Sequence, residues 1–471
     1  MTRYRITING STRAAMADLL HKFSVDVSDH GVRFAPDVGF TVSAFAASGE
    51  IEKLRRAGYH VVQHEDADGA GKARQGEVGR GNRYTGSAQP PSPPSVKGST
   101  KYLNIDEVES ALAIAAAAPY GNIATLITLP NPTHEGRTCH ALKIAGQGGA
   151  NRVGVYFLGG VHAREWGSPD ILINFIERIE QAYVGGTGLA FGRATFTAAD
   201  IRKIVDTLDI LIFPQANPDG RHFSMNVDDG WRKNRRPPAA GSQCIGVDLN
   251  RNYDFLWDFP KHFSPDATVA TSTDPCNDFY FGTSGFSEPE TKNARWIVDQ
   301  FVGTRFFIDL HSAGRQILYR WGDDEDQSDD PAMNFMNPDY DRDRGLDGSY
   351  KEYIPADDLA TSTSLGKVIQ SAIKAVRGTD YTVGPSYSLY PSSGTSEDYF
   401  YSRHFTDASK PKIVSFTLEW GDQYHPLYAE MAHIIDEVTA GLLAFCLKVA
   451  DLPQSPPRVQ ITAGPAGSGP D

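Results

Sequence analysis

Apolar positions recur along this chain with two different periods, and the switches between them mark its parts. Residues 4–8 alternate apolar and polar as a half-buried strand does, and residues 12–23 carry apolar positions at helical spacing. Residues 32–46 hold one or two further strands, 49–57 a second helix and 60–64 a last strand. That order predicts a small α+β unit over residues 1–66, a ferredoxin-like split βαβ sandwich.

From residue 67 to 100 the composition shifts to Gly, Ser and Pro, with Pro90-Pro91-Ser92-Pro93-Pro94 near its end, and reads as a linker. Beyond it, residues 153–158, 210–214, 306–310 and 413–418 are short, continuous apolar runs rich in β-branched and aromatic residues. Such runs suit buried strands of a sheet covered on both faces. Helical patterns alternate with them at 170–182, 288–301, 364–375 and 430–449, so residues 101–451 predict one α/β domain. The end, 452–471, reads as a disordered tail. An acidic stretch over 323–347, opening Asp323-Asp324-Glu325-Asp326, reads as a solvated insertion loop, with a calcium site or attraction of basic substrates as alternatives.

Composition narrows the function by exclusion. A formal charge of −13, from 45 basic and 58 acidic residues, gives no electrostatic reason to bind nucleic acid. No apolar run is long enough to span a membrane, and no signal peptide is visible at the N-terminus, which leaves a cytoplasmic location as the default. Four cysteines (Cys139, Cys244, Cys276, Cys446) are too few for a disulfide scaffold and too scattered for a zinc ribbon.

The chemistry concentrates at strand ends. Directly after the run 153–158 comes Gly159-Gly160-Val161-His162-Ala163-Arg164-Glu165-Trp166. A His and a carboxylate three apart in a turn at a strand's carboxyl end can point at one ion, and such ends are where open α/β sheets place ligands. His311 closes the run 306–310 in the equivalent place. Two imidazoles and one carboxylate leave a zinc ion an open position and its Lewis acidity. His60 and His64 on a strand, and His134-Glu135 with Thr138 where a partner histidine would stand, read as surface or satisfied groups.

Around these ligands the chain resembles the zinc carboxypeptidases of the A and B type. His162-Ala163-Arg164-Glu165-Trp166 is similar to the family's first zinc motif and Leu310-His311-Ser312 to its second. Asn217-Pro218-Asp219-Gly220, Trp231-Arg232-Lys233, Gly246-Val247-Asp248-Leu249-Asn250-Arg251-Asn252, Phe286-Ser287-Glu288-Pro289-Glu290, Tyr390-Pro391-Ser392-Ser393-Gly394 and Phe416-Thr417-Leu418-Glu419 follow in the family's order. The resemblance implies a mixed, mostly parallel sheet of about eight strands with helices on both faces. It also implies one Zn2+ per chain on His162, Glu165 and His311, and peptide or protein C-termini as substrate.

By the same resemblance Glu419 is the general acid/base, Arg232 stabilises the developing oxyanion, and Arg251 clamps the terminal carboxylate with Asn250 and Tyr390. Arg164 assists substrate entry, and Asp248 orients His162. Glu397 falls at the base of the side-chain pocket, where an acidic residue accompanies preference for C-terminal Lys or Arg; pairing with Arg320 is the alternative. Cys244 and Cys276 fall where many relatives carry a disulfide, which suits secretion and conflicts with the missing signal peptide. Residues 4–66 resemble the inhibitory pro-segment, and Lys72, Arg74, Arg80 and Arg83 offer an activating protease sites for cleavage. A permanent accessory domain is the alternative. Trp420-Gly421-Asp422-Gln423-Tyr424-His425-Pro426 departs from the animal enzymes.

Two rival readings are a zinc amidohydrolase of the aspartoacylase type and a non-catalytic peptide-binding relative. Arg251 with Asn250 and Tyr390 argues against the first, and retention of His162, Glu165, His311 and Glu419 against the second. Gly282-Thr283-Ser284-Gly285-Phe286 does not form a serine-hydrolase elbow.

Overall fold

Alternation in the first ten residues produces β1 (Arg3–Gly10), whose Ile6 and Ile8 share one buried face. With β2 (Asp26–Val27), β3 (Arg33–Ala35), β4 (Gly39–Ala47) and β5 (His60–Asp66) it forms an antiparallel sheet in the order β2–β4–β1–β5, β3 pairing with β4. The helix Ser48–Arg56 buries Ile51 and Leu54. The computed structural model describes residues 2–452 apart from 13–14, 17, 24, 28–32, 36–38, 86–95, 97–98, 150–151, 240, 325–326, 347–349 and 388–389. Of the helix expected at 12–23, it describes Leu19–Lys22 as an element.

The stretch read as a linker is ordered over its first half. Ala67–Gln75 is a helix capped by Asp66, whose side chain accepts from Gly69 N at 3.0 Å. Residues 76–85 then lie along the second domain: Tyr102 N donates to Glu77 O at 2.8 Å and Gly79 N to Tyr102 O at 2.9 Å. Arg83 donates to Glu107 Oε2 at 2.8 Å, and Val78 and Tyr84 are buried. Two apolar side chains among glycines carry no periodicity, so sequence pattern alone does not reveal this docking. The proline run and the tail from residue 453 lie outside the described residues.

The second domain is built on β6 (Ala124–Thr128), β7 (His140–Ile144), β8 (Val153–Gly159), β9 (Leu208–Phe213), β10 (Thr304–His311), β11 (Gln316–Tyr319), β12 (Thr382–Pro385) and β13 (Val414–Glu419). They form one eight-stranded sheet in the order β12–β11–β13–β10–β8–β9–β7–β6. Its centre, β13–β10–β8–β9, is parallel, and β9–β7–β6 and β13–β11 are antiparallel. Gly167–Gly185, Ala356–Arg377 and Tyr428–Asp451 contribute to the core on one face, and Pro289–Gln300 and Ser396–Thr406 to the core on the other. Burial on both sides explains why the central strands are apolar throughout.

Parallel alignment brings the carboxyl ends of β8, β10 and β13 to one edge: Leu310 pairs with Gly159, and His311 with Glu419. Gly160, at φ +65°, turns the chain out of β8 toward that edge, close against Pro214 O. The acidic stretch begins inside the molecule instead of in solvent, with Asp323 and Asp324 both buried. Among the described residues no helix is long and apolar enough to cross a membrane.

Candidate active site

At the edge where β8 and β10 end, the side chains of His162, Glu165 and His311 converge, each buried. The two Nδ1 atoms lie 3.0 Å apart, with Glu165 Oε1 2.8 Å from His162 Nδ1 and Oε2 3.1 Å from His311 Nδ1. A carboxylate stands behind each ring: Asp248 Oδ1 is 3.1 Å from His162 Nε2, and Asp309 Oδ2 is 3.1 Å from His311 Nε2. Carboxylates in that position fix ring orientation and raise ligand basicity. Two inward imidazole nitrogens and one carboxylate fit a zinc ion that keeps an open coordination position.

Charge is correspondingly concentrated. Against the opposing effect of burial, the two imidazoles draw the Glu165 carboxyl down to about 2. Burial likewise opposes, but Asp309 and Glu165 outweigh it and hold the His311 imidazole well above its usual range. A metal ion would displace that proton.

Asp248 has a second task. Its Oδ2 accepts from Arg232 Nε at 3.0 Å and Nη2 at 2.9 Å, so one carboxylate ties this guanidinium to His162. Asp248 Oδ1 also accepts from Asn250 N at 2.9 Å, which sets the turn that carries Asn250 and Arg251. Arg251 is buried, donates to the carbonyls of Ala270 and Asn250, and lies over the Phe279 ring 5.4 Å from its centroid, with Arg232 5.2 Å from the same ring. Gly394, at φ +68°, lets its loop approach so closely that a Cβ there would collide with the Arg251 carbonyl.

Glu419 ends β13 beside His311 and is buried. Glu397 is fully buried in the first turn of Ser396–Thr406; its Oε1 accepts from Ser386 Oγ at 2.7 Å, and its Oε2 has no hydrogen-bond partner among the described residues. Arg320, the alternative partner, instead stacks over Tyr401 at 3.7 Å from the ring centroid. Cys244 and Cys276 form a disulfide, and Cys139 and Cys446 are buried thiols.

The N-terminal unit sits over this edge. Arg164 Nη1 and Nη2 donate to Asp26 Oδ2 and Oδ1 at 2.5 and 3.1 Å, and its guanidinium stacks on Tyr424 at 4.1 Å. Tyr390 is buried in the same apolar cluster as Ile6, Ile8 and Met16 of that unit.

A family model for zinc carboxypeptidases matches residues 110–443. The chain belongs to the zinc carboxypeptidase family. This carboxypeptidase chain is 28% identical over 302 residues to carboxypeptidase B of Astacus astacus, covering 64% of the chain and 82% of that protein. It is 33% identical over 273 residues to metallocarboxypeptidase A of Arthroderma otae, covering 57% of the chain and 53% of the relative. The match thus spans about half the length of the fungal protein. Among solved structures, carboxypeptidase A from Helicoverpa armigera superposes with a TM-score of 0.70 at 22% identity, covering 95% of this chain and 97% of that one. Thrombin activatable fibrinolysis inhibitor superposes at 0.68 and 17% identity, covering 96% and 99%. These likenesses show the carboxypeptidase fold.

Two residues of this edge escape motif reading. Asp309 stands two before His311 on one strand, hence on the same face, inside an otherwise apolar run, and that placement is its signal. Asp26 lies in a two-residue strand with nothing in its local sequence to mark it.

Proposed function

We propose that this enzyme hydrolyses the C-terminal peptide bond of peptides, with zinc held by His162, Glu165 and His311. When bound, the ion supplies Lewis acidity toward the scissile carbonyl and an acidified water. Glu419 takes the proton of the attacking water on its carboxylate and delivers it to the leaving amine. Arg232, held by Asp248, donates to the oxyanion that develops on the scissile carbonyl. Arg251 binds the terminal carboxylate through charge-assisted hydrogen bonds, supported by Asn250 and Tyr390.

The observation that carries this reading is the convergence of two imidazoles and a carboxylate beside Glu419, with Arg251 on the turn that Asp248 organises. An amidohydrolase of the aspartoacylase type would not need that clamp.

Glu397 directs the enzyme toward C-terminal Arg or Lys. A buried carboxylate whose Oε2 has no partner among the described residues is costly alone and is stabilised by an incoming cation. The N-terminal unit keeps the intact chain inactive, because Asp26 occupies Arg164 and the unit buries Tyr390. Lys72 and Arg74 lie in a helix and Arg83 is bound to Glu107, so the exposed Arg80 is the site we assign to an activating protease. The Cys244–Cys276 disulfide suits an oxidising compartment.

The test compares kcat/KM for blocked dipeptides ending in Arg, Lys, Phe or Leu, on intact and Arg80-cleaved protein. The reading expects Arg and Lys to be preferred and cleavage to raise activity. Preference for Phe would remove Glu397 from specificity, and equal activity of both forms would remove the inhibitory role.

A further inference from the structure

On the far side of the Arg232 turn lies a second group of metal-type donors. His134 Nε2 is 2.8 Å from Glu288 Oε2, and Glu290 offers an oxygen to the same space. Ligand atoms of these three residues all fall within 4.8 Å of one another. Glu290 is 1% exposed, yet its Oε1 has no hydrogen-bond partner among the described residues. A carboxylate oxygen sealed from water and left unpaired is costly, and a cation is what would satisfy it.

The donors are held before any ion arrives. Glu288 precedes and Glu290 opens the helix Pro289–Gln300, and Asn234 Nδ2 donates to both, at 2.8 Å to Glu288 Oε2 and 3.1 Å to Glu290 Oε2. The loop that carries His134 is fixed on either side of it: Thr133 Oγ1 and Glu135 N each donate to Asp219 at 2.8 Å. Arg236 donates to Glu288 Oε1 at 2.6 Å and neutralises one of the two carboxylates, which leaves the other for a cation.

We infer that His134, Glu288 and Glu290 form a second divalent transition-metal site, separate from the one at His162, Glu165 and His311. One imidazole with two carboxylates suits zinc or a similar borderline ion. Asn234 Oδ1 accepts from Val247 N at 2.8 Å, next to Asp248, so the ion would brace the turn that carries Arg232 from behind.

The experiment measures zinc bound per chain after metal-free full-length protein is dialysed against zinc. The wild type should hold a second equivalent that His134→Gln and Glu290→Gln each lose, while both variants keep the equivalent that supports hydrolysis. Because Glu290 is buried, a spectroscopic arm guards against misfolding. His311→Gln loaded with Co2+ should show d–d bands that disappear when His134→Gln is added, His134 being on a partly exposed loop. One equivalent in the wild type, a second equivalent retained by His134→Gln, or cobalt bands unchanged by His134→Gln overturns the proposal.

Discussion

His311 and Glu419 are register partners on the neighbouring parallel strands β10 and β13, each the last residue of its strand. Hydrogen-bonded strands run about 4.8 Å apart, so the Glu419 carboxylate, our proposed base, stands one strand away from the proposed ligand His311 without any loop to position it. Rigid placement makes the residue's role separable from folding. Glu419→Gln should retain zinc and fold normally while kcat falls by roughly 10²–10⁴-fold, the range for loss of a general acid/base. Metal content and kcat measured on the same preparation check this, and near-normal turnover in the zinc-loaded variant would remove Glu419 from the mechanism.

On the proposed ligand set, Asp309 would act on zinc through His311, whose Nε2 lies 3.1 Å from its Oδ2. Asp309→Asn keeps the shape, removes the charge behind Nε2, and should weaken zinc binding by about 10–100-fold. Competition with a chelator measures it, and Asp248→Asn is the matched comparison on His162.

The pair of Arg164 with Asp26 ties the N-terminal unit to the catalytic edge. Asp26→Ala should raise kcat/KM of the uncleaved chain by about tenfold, equivalent to ~1.4 kcal/mol of lost docking. The cleaved, separated enzyme should be unaffected, since Asp26 is then absent.

Burial, with Glu177 one turn earlier, pushes the Glu180 carboxyl up to about 9. The folded state therefore keeps a proton that the unfolded state releases above about 4.3. Stability must then fall as pH rises from about 4.3 to 9, by up to about 1.4 kcal/mol per pH unit from this group. Glu180→Gln lacks that loss, so its Tm should match the wild type near pH 4 and exceed it near pH 8.

Much of the fold and of the catalytic edge is legible in the amino-acid sequence alone. The runs ending at Leu158, Leu310 and Leu418 coincide with most of β8, β10 and β13 because strands buried on both faces must be apolar throughout, and such runs stand out. His311 and Glu419 follow their runs directly, and His162 stands four residues past Leu158. What pattern does not reveal depends on contacts between distant, locally unremarkable residues. Asp26 meets Arg164 across 138 positions, and Arg83 finds Glu107 from within a stretch that otherwise reads as a linker. The buried Asp323 reads as solvated because an acidic run says nothing about which of its members turn inward.

Hydrolysis by the Arg80-cleaved protein of a blocked dipeptide ending in free Arg, set beside its C-terminal amide, tests the central claim most directly when a chelator and then zinc are added in sequence. The free acid should be cleaved and the amide spared, chelation should abolish turnover, and zinc should restore it. Chelator-resistant cleavage by demonstrably metal-free protein, or equal cleavage of acid and amide, would contradict a metal-dependent exopeptidase that grips the terminal carboxylate.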